Sequence, residues 1–74
     1  MFFGGGFIIM NKIKIANKLI NLRGSKPRVE VAKSLGISVS AIQMYEKGER
    51  IPKDEIKIKL ANYYQMTVQE IFFD

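Results

Sequence analysis

The sequence predicts an all-α domain of five short helices. Three observations lead there. Apolar residues recur at three- and four-residue spacing along most of the chain, and no strand-like alternation persists. Gly24, Gly36 and Gly48 each fall just past such a stretch, where a helix commonly stops. Pro27, Ser38 and Thr67 stand just before others, where a helix commonly starts.

The first helix is expected over about 12–23. Ile15, Ala16, Leu19 and Leu22 form its apolar stripe, Lys12, Lys14 and Lys18 lie largely off it, and Gly24 ends it. The break at Ser25-Lys26-Pro27 opens a second helix over about 28–35, with Val29, Val31, Ala32 and Leu35 available to a core. Gly36 stops that helix, and Ser38 caps a third over about 39–47, with Ile42 and Tyr45 on one face. Gly48 ends it, and residues 49–52 make a polar turn. A fourth helix is expected over about 53–65, with Ile56, Leu60, Tyr63 and Tyr64 facing inward. Thr67-Val68-Gln69-Glu70 fits a capping box and opens a fifth helix over about 68–73.

The 74 residues suffice for one domain with a modest core and marginal stability. Residues 11–74 are assigned to it. Residues 1–10, MFFGGGFIIM, are apolar and uncharged, and read as a segment outside the domain, a leader or disordered. They are too short to cross a bilayer and lack the charged start and cleavage site of a signal peptide. The Gly-Gly codons resemble a ribosome-binding sequence, which makes Met10 a candidate natural start. A native intact mass that includes residues 1–9 would exclude it.

Composition removes whole classes of function. No cysteine and no histidine are present, so disulfides, soft-ligand metal sites and two common catalytic groups are excluded. No glycine loop suited to phosphate and no paired carboxylates in a plausible pocket occur, so no enzyme, cofactor or small-molecule substrate is expected. The net charge is +5, distributed as +6 over residues 1–37 and −1 over residues 38–74. A basic half suits a polyanion, because neutralising phosphates releases condensed counterions. Apolar residues make up 47% of the chain, too many for a disordered one.

The sharpest pattern is Ala32-x3-Gly36-x5-Ile42. In two helices packed steeply through a tight turn, Ala32 must be small where the third helix crosses it. Gly36 must take a positive φ, and Ile42 plugs the joint. Val31, Leu35, Ile37 and Tyr45 complete the apolar set around them. An ordinary helical hairpin is the plainer reading of the same residues.

Around that pattern the chain resembles the phage-repressor/Cro-like helix-turn-helix family, also called the Xre family. The resemblance rests on Leu19…Leu22-Arg23, Val31-Ala32…Leu35-Gly36-Ile37-Ser38…Ile42…Tyr45-Glu46-Lys47-Gly48, Pro52…Leu60-Ala61 and Thr67…Glu70-Ile71-Phe72, and spans about residues 13–73. It implies a compact five-helix fold like that of lambda repressor. It also implies a salt bridge between Arg23 and Glu46, a scaffold feature. The third helix would enter the major groove and face bases with Val39, Ser40, Gln43 and Met44. Gln43 can pair with adenine, and Val39 and Met44 can touch a thymine methyl, so A·T-rich half-sites are expected. Family members usually carry polar residues at such positions. Arg28 stands where the family usually has a phosphate-touching Gln; Lys47, Arg50 and Lys53 can clamp the backbone. Two further departures are Gln65 at the usual glycine after the fourth helix and Lys53 at its usual Ser or Thr cap.

The resemblance therefore implies a cytoplasmic, bacterial or phage-borne regulator, a repressor binding double-stranded DNA as a homodimer. Ile71, Phe72 and Phe73 offer apolar surface for pairing, although Ile71 better suits the monomer core. No membrane contact is expected. The competing reading is a protein-interaction module or an antitoxin-like partner of another protein. Val39, Met44 and the apolar N-terminus motivate it, and salt-dependent DNA binding separates the two.

Overall fold

A computed structural model of the chain describes residues 11–73. The expected segments at residues 1–10 and the terminal Asp74 lie outside the described residues. Four α-helices and one π-helical turn follow in order: α1 (Lys12–Arg23), α2 (Arg28–Leu35), α3 (Val39–Glu46), α4 (Asp54–Tyr64) and α5 (Gln69–Phe73). No strand occurs among the described residues.

Each helix starts and stops for a local reason. The Asn11 side chain caps α1 by accepting from the Lys14 N–H, and the Ser38 hydroxyl caps α3 by accepting from Ala41 N–H at 3.0 Å. Pro27 precedes α2 as its cap residue, with no side-chain bond. Lys53 stands in the same place before α4, again without a side-chain cap, so Asp54 and Glu55 are left to favour that end through the helix dipole. Thr67 and Glu70 form a reciprocal capping box, with the Thr67 N–H donating to Glu70 Oε1 at 2.9 Å and the Glu70 N–H to Thr67 Oγ1 at 3.0 Å.

Three helix ends are corrected from the sequence reading. Helix α3 stops at Glu46, with Lys47 as its cap; α4 spans 54–64, with Lys53 and Gln65 as flanking caps. The last element, expected as a helix over about 68–73, is a π-helical turn over Gln69–Phe73 that opens inside the capping box.

The core is drawn from all five elements: Ile15 and Leu19, Val31 with Ala32 and Leu35, Ile42 and Tyr45, Ile56 with Leu60 and Ala61, and Ile71 with Phe72. Helix α3 packs on both α1 and α2, α2 meets α4, and α5 folds back onto α1. Two lysines tie helix ends together. Lys18 Nζ donates to the Glu70 carbonyl at 2.6 Å, and Lys59 Nζ to the Leu35 carbonyl at 3.3 Å, at the negative end of α2.

Two apolar assignments are overturned. Val29 is 62% exposed rather than in the core: its place in the first turn of α2 points away from the stripe of Val31, Ala32 and Leu35. Phe72 is buried and offers no surface for pairing, whereas Ile71 is buried in the monomer core as expected and Phe73 is exposed. Among the described residues no helix is long and apolar enough to cross a membrane.

Candidate nucleic-acid interface

The turn between α2 and α3 sets the geometry of the site. Gly36 ends α2 with φ 70° and ψ 31°, a left-handed conformation that glycine adopts without a Cβ penalty. The Ile37 N–H then returns to the Ala32 carbonyl at 3.0 Å, closing the turn, and Ser38 starts α3 two residues later. Gly48 ends the following turn with φ 75°. A Cβ there would lie 2.9 Å from Ile13 Cδ1 and 3.4 Å from the Lys12 carbonyl oxygen, so this turn sits tightly against the start of α1.

Helix α3 is thereby held with one face in the core and one in solvent. Ile42, Tyr45 and Glu46 are buried. At about 100° per residue, Ser40, Gln43, Met44 and Lys47 share the opposite arc. Ser40, Gln43 and Lys47 are exposed and Met44 is half-buried. Val39 is also half-buried, but it packs against the core cluster, whereas Met44 lies outside that cluster. The four base-facing candidates are therefore divided: three share one open arc with Lys47, and Val39 sits at its edge.

Among the backbone-clamp candidates, Arg50 is exposed in the turn after α3, and Lys53 is exposed at the start of α4. Arg28 is exposed at the start of α2. Glu49 lies among them, its N–H bound to the Met44 carbonyl at 2.9 Å, so the basic set is not free of negative charge.

The scaffold beneath is an ion cluster. Arg23 grips Glu46 with two bonds, Nε to Oε2 at 2.7 Å and Nη2 to Oε1 at 3.0 Å. This joins the end of α1 to the end of α3. The bond to Glu46 raises the Arg23 pKa above its ordinary value; burial opposes the rise and the carboxylate's charge adds to it. Arg28 also donates to Glu46, Nε to Oε1 at 2.8 Å. Tyr64 lies close by. Burial pushes its phenol up to about 12, and the negative charge of Glu46 adds to the shift.

Two pairings were not read from the sequence. For Arg28 the sequence suggests a phosphate contact and gives no bond to Glu46. The available signal was opposite charge at the start of α2 and the end of α3, helices joined by a short turn. Lys57 is the second: only 8% of its side chain is exposed, with Nζ 3.2 Å from Asp54 Oδ1 and above the Phe72 and Phe73 rings. Its signal was the i,i+3 Asp54. Among the described residues no cluster of His, Cys, Asp or Glu could hold a metal ion.

A left-handed glycine between two short helices, a small residue at their crossing and a buried hydrophobe at their joint define a helix-turn-helix domain. Residues 14–71 match the helix-turn-helix family, and the chain belongs to it. This is a family of DNA-binding domains and not of enzymes. The chain is also similar to the "Cryptic phage CTXphi transcriptional repressor RstR" of Vibrio cholerae serotype O1, with 31% identity over 61 residues. That alignment covers 80% of this chain and 54% of the relative, so the chain spans about half the length of the curated protein it matches. No solved structure matches it.

Proposed function

We propose that this chain is a sequence-specific DNA-binding transcriptional regulator, a repressor, that reads the major groove with α3. The observation that carries the reading is the solvent-facing arc of Ser40, Gln43, Met44 and Lys47, on a helix anchored by Ile42, Tyr45 and Glu46. A helix so held presents a polar and apolar edge of the width the major groove admits. Family membership and the likeness to a phage repressor support the same reading.

In this reading Gln43 pairs with adenine, Met44 meets a thymine methyl, and Ser40 bonds to a base or a phosphate. Val39 contributes at the edge. Arg28, Lys47, Arg50 and Lys53 bind phosphates on either side and set the register without reading sequence. Arg23, Ala32, Gly36, Ile42 and Glu46 hold the two helices at their angle. Residues 11–74 are the DNA-binding domain, and the protein acts in the cytoplasm, where it meets its DNA. One helix reads only a few base pairs, so a second copy is needed, with half-sites about 34 Å apart. Phe73, half exposed, is the apolar residue of the last turn left for that contact.

The test is titration against random-sequence duplex DNA at two salt concentrations, with sequencing of the bound fraction. The expected result is an A·T-rich inverted repeat bound with affinity that falls steeply in salt. Recovery of G·C-rich half-sites would reject the roles of Val39 and Met44. Absence of binding at low salt would reject the function and leave a protein-interaction module.

A further inference from the structure

Two arginines share one buried carboxylate, and they do so unequally. The Glu46 side chain is 3% exposed. Its Oε2 accepts from Arg23 Nε, and its Oε1 accepts from both Arg23 Nη2 and Arg28 Nε. Two guanidinium groups on one carboxylate leave one positive charge without a counter-charge in the cluster.

The geometry decides where that charge emerges. Arg23 commits all three nitrogens, the third being Nη1, which donates to the Lys26 carbonyl at 2.9 Å; its side chain is only 13% exposed. Arg28 gives Glu46 its Nε alone and is 42% exposed. Among the described residues its two Nη groups make no other hydrogen bond. The surplus charge therefore faces solvent as the Nη edge of Arg28, at the start of α2.

We propose that Glu46 is a positioning residue for DNA binding: it holds Arg28 by Nε so that the Nη edge is presented to a backbone phosphate. The proposal rests on the DNA-binding reading above. Arginine alone among the side chains can be gripped at one nitrogen and still offer two parallel N–H donors to a phosphate. Fixing the guanidinium before contact also reduces the ordering that binding would otherwise require. Coulomb's law by itself points the other way, since removing the negative charge of Glu46 makes the protein more basic and should tighten binding to DNA.

The experiment is fluorescence anisotropy of the full chain on a short random-sequence duplex over a salt series, with thermal unfolding of each variant. The variants are R28K, R28Q, E46Q and the double variant R28Q/E46Q. R28Q should lower the slope of log affinity against log salt by about 0.9, one phosphate contact. R28K keeps the charge but loses the fork, and is expected to weaken binding about tenfold, as loss of a charge-assisted bond does. E46Q should lower stability, since it takes the counter-charge from Arg23, and the protein that remains folded should bind more weakly; the double variant should bind no worse than R28Q alone.

R28K binding like the unmodified chain would overturn the proposal, as would a folded E46Q that binds as tightly or more tightly. If E46Q does not fold, R28K decides, because Arg28 lies at the surface and its replacement leaves Arg23 on the carboxylate. If the unmodified chain shows no salt-dependent binding, the DNA-binding reading itself falls, and that outcome is distinct from the R28K result.

Discussion

Arg23 and Glu46 are joined by two hydrogen bonds of 2.7 and 3.0 Å, which fasten the end of α1 to the end of α3. Breaking a buried pair from one side leaves an uncompensated charge, at about 3–5 kcal/mol for a fully isolated partner. Here Arg28 remains on Oε1 when Arg23 is removed. R23A is therefore expected to destabilise by somewhat less, ~2–3 kcal/mol. R28A leaves the Arg23 fork intact and should shift stability by less than about 1 kcal/mol. The double variant should lose more than the sum of the two, since only then does Glu46 stand unpaired in the interior. Urea unfolding of the four proteins measures this, and simple additivity would contradict the shared-carboxylate arrangement.

Gln65 ends α4 with φ 58° and ψ 45°, where its N–H and that of Met66 close back onto Asn62 and Ala61. It is the one non-glycine residue of positive φ among those described. A left-handed residue with a Cβ carries a penalty of about 1–2 kcal/mol. Glycine relieves it but adds freedom to the unfolded chain, returning ~0.4–1 kcal/mol. Q65G is expected to stabilise by a net ~0.5–1 kcal/mol, visible as a raised Tm. An unchanged or lowered Tm would show that the Gln65 side chain contributes something a glycine lacks.

What could be read without the structure was local. The stops at Gly24 and Gly36, the Ser38 cap, the Thr67–Glu70 box and the strained place of Gln65 each depend on a few adjacent residues, and adjacent residues suffice to announce them. Ala32, Gly36 and Ile42 were legible for a related reason: their spacing encodes one joint between two consecutive helices. What escaped reading was set by contacts between distant segments. Val29 has the residue type of a core position but falls outside the buried stripe by its angle. Lys57 has the type of a surface position but is covered by Phe72 and Phe73, which return from the end of the chain. The pairing of Arg28 with Glu46 depends on how α2 and α3 cross. Within the candidate interface, the same limit hid the split between Val39 and Met44.

Tyr64 gives the fold a signature in alkaline solution. Its phenol is pushed up to about 12 in the folded chain, while the unfolded value lies near 10. The folded protein therefore holds its proton where the unfolded chain releases it. The associated stability is fully present below pH ~10 and is lost as pH rises through about 12. With partial exposure discounted, the loss attributable to this group is on the order of 1–2 kcal/mol. Denaturant unfolding between those pH values should show the decline, and Y64F should flatten it relative to the unmodified chain. A Y64F slope equal to the parent's would assign the decline to other groups.

Val39 and Met44 are both apolar residues of α3, yet the structure gives them different neighbours. Val39 packs against the core cluster, and Met44 does not, lying instead on the open arc with Ser40, Gln43 and Lys47. Truncating Val39 should therefore act first on the fold: V39A is expected to destabilise by ~0.5–1.5 kcal/mol, the usual range for trimming a packed β-branched residue. M44A should leave stability within about 0.5 kcal/mol, because it removes no contact from the core cluster. Binding should separate them in the opposite sense. On a selected duplex, M44A should lose discrimination at one base pair, and replacing that pair's thymine with uracil should weaken the unmodified chain but not M44A, because uracil lacks only the methyl group. If M44A unfolds as readily as V39A, or if uracil replacement affects both proteins alike, then Met44 is packing and the arc of α3 reads sequence through Ser40 and Gln43 alone.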